Sequence, residues 1–348
     1  MGILPWMLGV AFALGAPDDK ADLSIKRGVS YLLTQQDREG AIARVRSNRT
    51  AMTALALLAL GSVGHQPDDD TPEGRCMKRA MAFVLRPGNQ DVDGYFGKTD
   101  GSRMYGHGIV TLMLAEFVGM GADQEQDRLL AERCRSAIAL ILRAQAIPKS
   151  PRDQGGWRYG PDSKDSDLSA TVWLVSALRS AKNAGFEVPK EAIDRAVEYI
   201  KRCYSSPRDP AGKPTRLDSA CGYGDGRGPT FSTAGAGLLA LQVCGRYEGP
   251  EVTASADWLL KTKPDPGEPW FYYGTYYYAQ GMYQRGGRHS EEARKHVEEL
   301  LARIQQSDGS WVGMHQRDNE GAVGPIYSSS LAILALAVKH HFLPIYQR

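Results

Sequence analysis

The chain has 348 residues, of which 42% are hydrophobic and 24% are charged, a composition typical of soluble globular proteins with one large or two ordinary domains. Its formal net charge is +2, and no basic stripe with interleaved aromatic residues occurs, which argues against nucleic-acid binding. Sixteen tyrosines against eight phenylalanines indicate aromatic side chains whose hydroxyl groups meet water, a ligand or a polar partner.

The first element along the chain is an apolar run from Ile3 to Leu14, followed by small residues and an acidic start. This order predicts a secretory signal peptide over residues 1–16 and therefore export to the periplasm or the extracellular space. The run lacks a preceding Lys or Arg, and the alternative is an N-terminal segment packed on the domain of a cytoplasmic protein. The run is too short to span a bilayer.

From residue 22 onward, one pattern recurs six times: an amphipathic helix, a loop containing glycine and usually an aromatic residue, and a nearly all-apolar helix rich in Ala and Leu. In SIKRGVSYLLTQQ, for example, Ile25, Val29 and Leu32 lie on one helical face. The loops are QDREGAIA (36–43), QDVDGYFG (90–97), DQGGWRYG (153–160), SACGYGDG (219–226), PGEPWFYYG (266–274) and QSDGSWVG (306–313).

The two kinds of helix predict an all-α fold with six outer and six inner helices, an (α/α)6 barrel over residues 22–348. An open helical solenoid is the alternative, but it requires polar capping repeats. The last helix, SSSLAILALAV, is as apolar as the central ones, which favours closure. The loops then gather at one end of a central cavity, where we expect the ligand site.

Three loops carry a recognisable motif. Gln305-x-x-x-Gly309-x-Trp311 matches the QxxxGxW repeat of squalene and hopene cyclases, and degenerate copies occur at Gln36, Gly40 and Ile42 and at Gln90, Gly94 and Phe96. The chain therefore resembles the superfamily of squalene cyclases and protein prenyltransferase β-subunits. The resemblance implies an α/α toroid. Squalene and hopene cyclases resemble two such toroids in one chain, whereas this sequence contains one.

The prenyltransferase branch implies a zinc ion held by Asp-x-Cys and His at the starts of two inner helices. Tyr273, Thr275 and Ser328 occupy these positions here, and none is a competent zinc ligand. We therefore predict neither a metal nor a cofactor. The five cysteines contain no CxxC pair. Cys203 and Cys221 flank one loop, and either a disulfide in an exported protein or two buried thiols would fit.

The cyclase branch implies a DxDD motif just before an inner helix, with one aspartate protonated to attack an alkene. In DSDLSATVW (165–173), Asp165 and Asp167 match its first two acids, whereas Leu168 stands at the third acidic position. The predicted catalytic residues are Asp167 and Asp165. The alternative is that Asp167 or Ser169 caps the inner helix.

A second acidic cluster, PDDDTPEG (67–74), follows the first inner helix and precedes the second outer one. It should therefore lie at the end of the barrel opposite the loops. We predict a solvated turn there, with an aspartate capping the next helix.

Aromatic and polar residues near the loops are candidates for ligand binding, because aromatic faces stabilise cations and bind flat apolar groups or sugars. His107 is either an acid–base group or a structural histidine, and Tyr276 and Tyr277 cannot both point equally inward. The predicted ligand-binding residues are Tyr105, His107, Trp157, Arg158, Tyr159, Tyr223, Asp225, Tyr273, Tyr276, Tyr277, Trp311 and Tyr327.

Three hypotheses for function follow. The first is a terpene-cyclase-like isomerase or lyase, or a related toroid, that acts on or binds an isoprenoid or another elongated apolar ligand. The second is a non-catalytic toroid that binds a ligand or a protein. The third is a carbohydrate-active toroid similar to polysaccharide lyases. An apolar ligand also suggests peripheral membrane association, and the sequence identifies no protein partner.

Overall fold

Helices account for the whole architecture of the computed structural model, which describes residues 20–43, 46–315, 324–340 and 342–347. Twelve α-helices occur within these ranges, alternating between an outer and an inner layer. The outer helices are α1 (Lys20–Thr34), α3 (Pro72–Val84), α5 (Gln124–Ala146), α7 (Lys190–Arg202), α9 (Pro250–Lys261) and α11 (Gly287–Ile304). The inner helices are α2 (Arg49–Ser62), α4 (Arg103–Phe117), α6 (Leu168–Asn183), α8 (Phe231–Val243), α10 (Phe271–Arg285) and α12 (Gly324–Leu336).

The inner helices form a closed ring. Each one contacts the next inner helix along the chain, and α12 contacts α2, while α1 contacts both α11 and α12. The predicted (α/α)6 barrel is therefore confirmed, and the open solenoid is excluded.

The two layers differ in burial, as the sequence pattern requires. Every residue of α2 except Arg49 is buried, whereas α11 buries only Ala293, Val297, Leu300 and Leu301. An inner helix contacts helices on both sides and an outer helix behind it, so it has no polar face.

Glutamine side chains tie the outer helices together. Gln305 donates from Nε2 to the carbonyl oxygens of Gly309, in its own loop, and of Ser24, in α1, both at 2.9 Å. The same two-carbonyl contact recurs from Gln36 to Gly40 and Cys76, from Gln90 to Gly94 and Arg133, and from Gln145 to Gly155 and Ala192. We call these contacts the glutamine clasps. The clasp of Gln305 joins the last outer helix to the first and so closes the outer layer.

The middle of the barrel is filled by an aromatic layer consisting of Trp173, Tyr276 and Tyr277. Trp173 stacks on Tyr276 with ring centroids 5.8 Å apart, and Tyr277 meets Trp173 edge-on at the same distance. Beyond this layer, the C-terminal segment 343–347 closes the far end: Tyr346 hydrogen-bonds to Tyr276, and the Ile345 amide donates to Glu116 at 3.1 Å. Any cavity open to solvent must therefore lie at the loop end.

Several predictions concern segments away from this cavity. In PDDDTPEG the N-cap of α3 is Thr71, whose hydroxyl accepts from the Gly74 amide at 3.0 Å, so the predicted aspartate cap is wrong. The hydroxyl is better placed because it belongs to the residue immediately before α3. Cys203 and Cys221 are buried free thiols.

The predicted signal peptide, residues 1–16, lies outside the described residues. Among the helices that the structure does describe, none combines the length and hydropathy needed to cross a membrane.

Candidate functional site

A cavity of about 770 Å³ opens at the loop end of the barrel, above the aromatic layer. Its walls come from the first turns of the inner helices and from the segments that precede them. The lining residues are Asn48, Ala51, Met52, Ser102, Arg103, Tyr105, Gly106, Ile109, Tyr159, Ser169, Tyr223, Thr230, Phe231, Ser232, Thr233, Glu268, Pro269, Trp270, Tyr273 and Tyr327. This volume lies within the range of about 300–1,000 Å³ that is usual for small-molecule sites.

Five of the predicted ligand-binding residues line this cavity, and all five are tyrosines. Four of their hydroxyls pair with one another: Tyr105 with Tyr327 at 3.2 Å and Tyr159 with Tyr223 at 2.6 Å. The fifth, Tyr273, lies on α10 between the rings of Tyr105 and Tyr277. Each pair uses one of its two hydroxyl hydrogens, so these tyrosines offer a ligand their ring surface and a few hydrogen-bonding positions.

The hydroxyl groups of serine and threonine in the walls are also bonded within the protein. Ser102 donates to Asp100 at 2.6 Å, and Ser169 donates to Asp167 at 2.7 Å. At the start of α8, the hydroxyls of Thr230, Ser232 and Thr233 bond to one another and to the backbone as a capping box. These side chains are therefore committed to holding the inner-helix ends in place.

Five lining side chains with polar groups remain, namely Asn48, Arg103, Glu268, Trp270 and Tyr273. Arg103 and Glu268 are exposed at the mouth, and neither makes an ion pair within the described residues. Tyr273 is only 6% exposed, and its hydroxyl oxygen is buried. The polar groups that a ligand can reach are thus concentrated at the mouth.

Backbone strain also concentrates at this mouth. Asn48, Arg103 and Trp270 have φ angles of 56°, 57° and 62°, and among the described residues they are the non-glycine residues with positive φ. All three line the cavity, directly before or at the start of an inner helix. Such backbone conformations cost about 1–3 kcal/mol each and cluster at functional sites.

Asp167 caps α6 and does not line the cavity. Its Oδ1 accepts from the Ala170 amide at 2.8 Å and from the Ser169 hydroxyl, and its Oδ2 lies 3.1 Å from Nε of Arg158. The carboxylate is 1% exposed, with Ser169 standing at the cavity wall. Burial raises the pKa of Asp167, and hydrogen bonds with Ala170, Ser169 and Tyr223 together with the Arg158 charge oppose that shift. The position therefore combines a helix cap with an ion pair to a partly exposed arginine.

Arg158 links the two predicted acids. Its Nη1 donates to the exposed Asp165 at 2.8 Å, while the guanidinium lies over the rings of Tyr159 and Tyr223, at 5.2 and 5.9 Å. Neither Arg158 nor Asp165 lines the cavity. Asp225, a predicted ligand residue, faces Arg152 at 3.7 Å and lies outside the lining. These charges hold the two loops that supply Tyr159 and Tyr223.

His107, Trp157 and Trp311 belong to the framework of the repeat. The indole N–H groups of Trp157 and Trp311 donate to carbonyls of the preceding outer helices. The Phe96 amide donates to Nδ1 of His107, and the corresponding amides of the other loops donate to hydroxyls, as in Ile42 to Thr53, Trp157 to Thr171 and Trp311 to Ser329. Burial lowers the pKa of His107 to about 4, which keeps the imidazole neutral. His107 is fully buried outside the cavity, in the same role as the three hydroxyls.

Sequence reasoning missed several lining residues, notably Met52, Ile109, Phe231 and Trp270. Their common signal is position: each lies within the first two turns of an inner helix or directly before one. Tyr276 and Tyr277, which stand out in the sequence for their density of aromatic neighbours, lie one turn deeper, in the aromatic layer. Among the described residues, no group of three or more His, Cys, Asp or Glu is arranged to hold a metal ion.

Comparison with known proteins identifies the architecture. No family model matches the chain, and no curated protein matches its sequence. By structure it is similar to an inactive variant of an α-1,6-mannanase from Salegentibacter in complex with α-1,6-mannotriose, with a TM-score of 0.60 and 13% identity over 92% of this chain and 99% of that chain. This chain shares the α/α toroid fold.

A type II terpene cyclase from Scytonema, MstE, is similar to the same extent. Its apo structure has a TM-score of 0.59 and 14% identity over 93% of this chain and 99% of that chain. A variant of the same cyclase, in complex with geranylgeranyl dihydroxybenzoate, has a TM-score of 0.56 and 14% identity, over 93% and 98%. The similarity in structure shows the common toroid fold. Because the identities are this low, the ligand has to be argued from the cavity.

Proposed function

We propose that this toroid binds an elongated apolar ligand of the isoprenoid class in its central cavity. The observation that carries the proposal is the make-up of the walls, which consist mainly of aromatic rings and aliphatic groups. Each of the pairs Tyr105–Tyr327 and Tyr159–Tyr223 uses one hydroxyl hydrogen internally, and the rings supply most of the remaining tyrosine surface. A ligand that matches this surface is apolar over most of its length. The terpene cyclase with the same fold, seen with geranylgeranyl dihydroxybenzoate, is consistent with this class.

A carbohydrate ligand receives less support from the cavity. A glycoside hydrolase needs two carboxyl groups flanking the bond to be cleaved. Among the described residues, Glu268 is the carboxylate in the lining, at the mouth, and Asp167 lies behind Ser169. A sugar would also bring many hydroxyl groups against walls made mainly of rings and aliphatic groups, and hydroxyls that lose water there without a new partner cost free energy.

For Asp167, we propose a positioning role. Its Oδ1 accepts from the Ala170 amide, as the cap of α6, and from the Ser169 hydroxyl, while its Oδ2 lies 3.1 Å from Nε of Arg158 in an ion pair without hydrogen-bond geometry. The carboxylate is 1% exposed and lies behind Ser169, out of contact with a ligand in the cavity. If Asp167 were instead the acid of a cyclase, Asp167→Asn would abolish turnover of a bound isoprenoid while leaving its affinity intact.

Tryptophan fluorescence tests the ligand class, because Trp270 is 43% exposed and lies at the cavity mouth. We expect geranylgeraniol to change the emission in a saturable titration, and α-1,6-mannotriose to produce no change. Trp270→Phe should keep the aromatic wall and lose most of the signal, which assigns the signal to the cavity. A saturable response to the mannotriose and none to the isoprenoid would overturn the proposal.

A further inference from the structure

Exposed apolar side chains are concentrated at the loop end of the barrel. Among the described residues, eight large hydrophobic side chains are exposed, and six of them belong to connections that lead from an outer helix to the next inner helix. The connections at the opposite end, from inner to outer helices, carry none of the eight. Single exposed hydrophobic residues are common on protein surfaces, whereas a concentration at one place marks a surface that binds something.

Five of these six side chains lie beside the cavity mouth, and we call them the mouth patch: Leu217, Tyr223, Trp270, Val312 and Met314. They come from three consecutive connections, which precede the neighbouring inner helices α8, α10 and α12. The Tyr272 hydroxyl donates to the Val312 carbonyl at 3.0 Å and so ties the last of these connections to the start of α10. Tyr223 and Trp270 also line the cavity, so the mouth patch continues into its aromatic wall.

The charges around the mouth patch narrow the kind of partner. The described parts of the three connections, residues 203–230, 262–270 and 305–315, contain nearly equal numbers of basic and acidic residues. Such a surface has no net field with which to attract a polyanion or an anionic bilayer. Its apolar side chains, with a tryptophan and a tyrosine among them, are instead of the types that enter the interface of a membrane.

The position of the mouth patch distinguishes a bilayer from a protein partner. The patch borders the opening of the cavity, so a protein seated on it would close the route by which a ligand enters. A bilayer leaves that route open, because a long apolar ligand partitions from water into the acyl chains and passes from there into the cavity.

We propose that the mouth patch docks onto the surface of a zwitterionic lipid bilayer and that the cavity takes its ligand directly from the membrane. The choice of a bilayer rests on the proposed function, since an apolar ligand is the kind that has to come from lipid. Leu217 and Met314 enter the interface, while Trp270 and Tyr223 connect the interface to the cavity wall.

Sedimentation with vesicles of phosphatidylcholine tests the docking surface. We expect the protein to bind the vesicles equally at low and high salt, because insertion of apolar side chains is not screened by ions. Leu217→Ser combined with Met314→Ser should weaken this binding at least about tenfold, since two apolar side chains no longer enter the lipid. Neither residue lines the cavity, so this variant should bind geranylgeraniol delivered from cyclodextrin as tightly as the unmodified protein does.

A second pair of exposed apolar residues supplies the matched control. Leu23, in α1, and Phe342, in the C-terminal segment, are 51% and 53% exposed, compared with 57% and 71% for Leu217 and Met314. Both lie outside the connections at the loop end. Leu23→Ser combined with Phe342→Ser should therefore leave binding to the vesicles unchanged.

The outcomes separate the two proposals. No binding of the unmodified protein to the vesicles, or binding that requires anionic lipid and disappears at high salt, would overturn the inference. Equal losses in the two double variants, or no loss in either, would remove the mouth patch as the cause. A dimer in solution that the variant of Leu217 and Met314 converts to a monomer would assign the patch to a contact between copies of the chain, and would also overturn it. Failure of geranylgeraniol to bind from cyclodextrin, with vesicle binding intact, would instead contradict the proposed function and leave the docking surface standing.

Discussion

Asp167 holds three parts of the site together: the start of α6, the Ser169 hydroxyl and the guanidinium of Arg158. Removing it leaves a helix end without its cap and two partly exposed polar groups, the Ser169 hydroxyl and the Arg158 guanidinium, without their partner. We expect Asp167→Ala to lower the free energy of unfolding by about 2–3 kcal/mol, measured by urea denaturation, because the loss of these partners adds to the loss of the cap.

Two variants separate the cap from its charge. Asp167→Asn should cost less than Asp167→Ala, since asparagine caps helices as well as aspartate does. Asp123 caps α5 in the same manner from a site where its side chain is 54% exposed, so Asp123→Ala should cost about 1 kcal/mol. A cost at Asp167 no greater than that at Asp123 would contradict the positioning role.

At the residue scale, the sequence identified some lining residues but not their chemistry. Tyr105 and Tyr327 are candidates because they lie near loops, but they are 222 positions apart, and no local pattern shows that their hydroxyls meet. His107 is conspicuous in the sequence as a histidine near a helix start. Aligned with Thr53, Thr171 and Ser329, it would have been recognised as the acceptor for a loop amide.

At the element scale, the glutamine clasps explain why the loops contain glycine. Gly155 adopts a φ of +93°, and a Cβ atom there would lie 2.2 Å from the carbonyl oxygen of Arg195 in α7. The contact is with backbone, which cannot turn away as a flexible side chain can. The glycine lets the loop approach the next outer helix closely enough for Gln145 to bond to both.

We expect Gly155→Ala to destabilise the protein by about 3 kcal/mol or more, because the strained backbone conformation and the collision with Arg195 add together. Gly185 is a matched control: its φ is +87°, and a Cβ atom added there would have nothing within 4 Å of it. Gly185→Ala should cost about 1–2 kcal/mol from backbone conformation alone. Equal losses in the free energy of unfolding for the two variants, measured by urea denaturation, would show that the contact with the Arg195 carbonyl adds nothing to the cost.

The fold was predictable from the sequence because the same pair of helix patterns occurs in all six repeats. Six amphipathic helices and six apolar ones fix two layers, and an apolar last helix fixes closure. The third clasp was not predictable, since Gln145 precedes Gly155 by ten residues rather than the four found at Gln36, Gln90 and Gln305. The spacing differs because the segment between Gln145 and Gly155 holds six more residues than the corresponding segments of the other clasps.

At the scale of the whole molecule, two buried ionisable groups have opposite effects on how the free energy of unfolding changes with pH. Burial raises the pKa of Glu116, at the far end of the barrel, from its ordinary 4.5 to about 7, and lowers that of His107 from 6.5 to about 4. As pH rises from 4.5 to 7, unfolded chains release the Glu116 proton while folded ones retain it, so this group lowers stability with pH. His107 does the reverse: its contribution is complete above pH 6.5 and is lost as pH falls towards 4.

In Glu116→Gln, the pH dependence of the free energy of unfolding should no longer contain the Glu116 contribution and should follow that of His107. The variant should match the unmodified protein at pH 5 and exceed its free energy of unfolding by about 2 kcal/mol at pH 8, where the native carboxylate is ionised in a buried site. Urea denaturation at pH 5, 6, 7 and 8 measures the difference between the two proteins. Parallel curves across this range would show that Glu116 titrates normally and that the far end of the barrel is hydrated.

The contact between α12 and α2, together with the clasp from Gln305 to Ser24, has a consequence for how such a chain can change in evolution. An open array of helix pairs gains or loses a unit at either end without disturbing the others. Here a seventh helix pair would have to break the contacts between the last and first repeats and change the angle between all neighbouring inner helices. Duplication of one helix pair should therefore disrupt this fold. Variation must come instead from the lengths of the connecting segments, as in residues 204–220, which extend the loop leading to Tyr223.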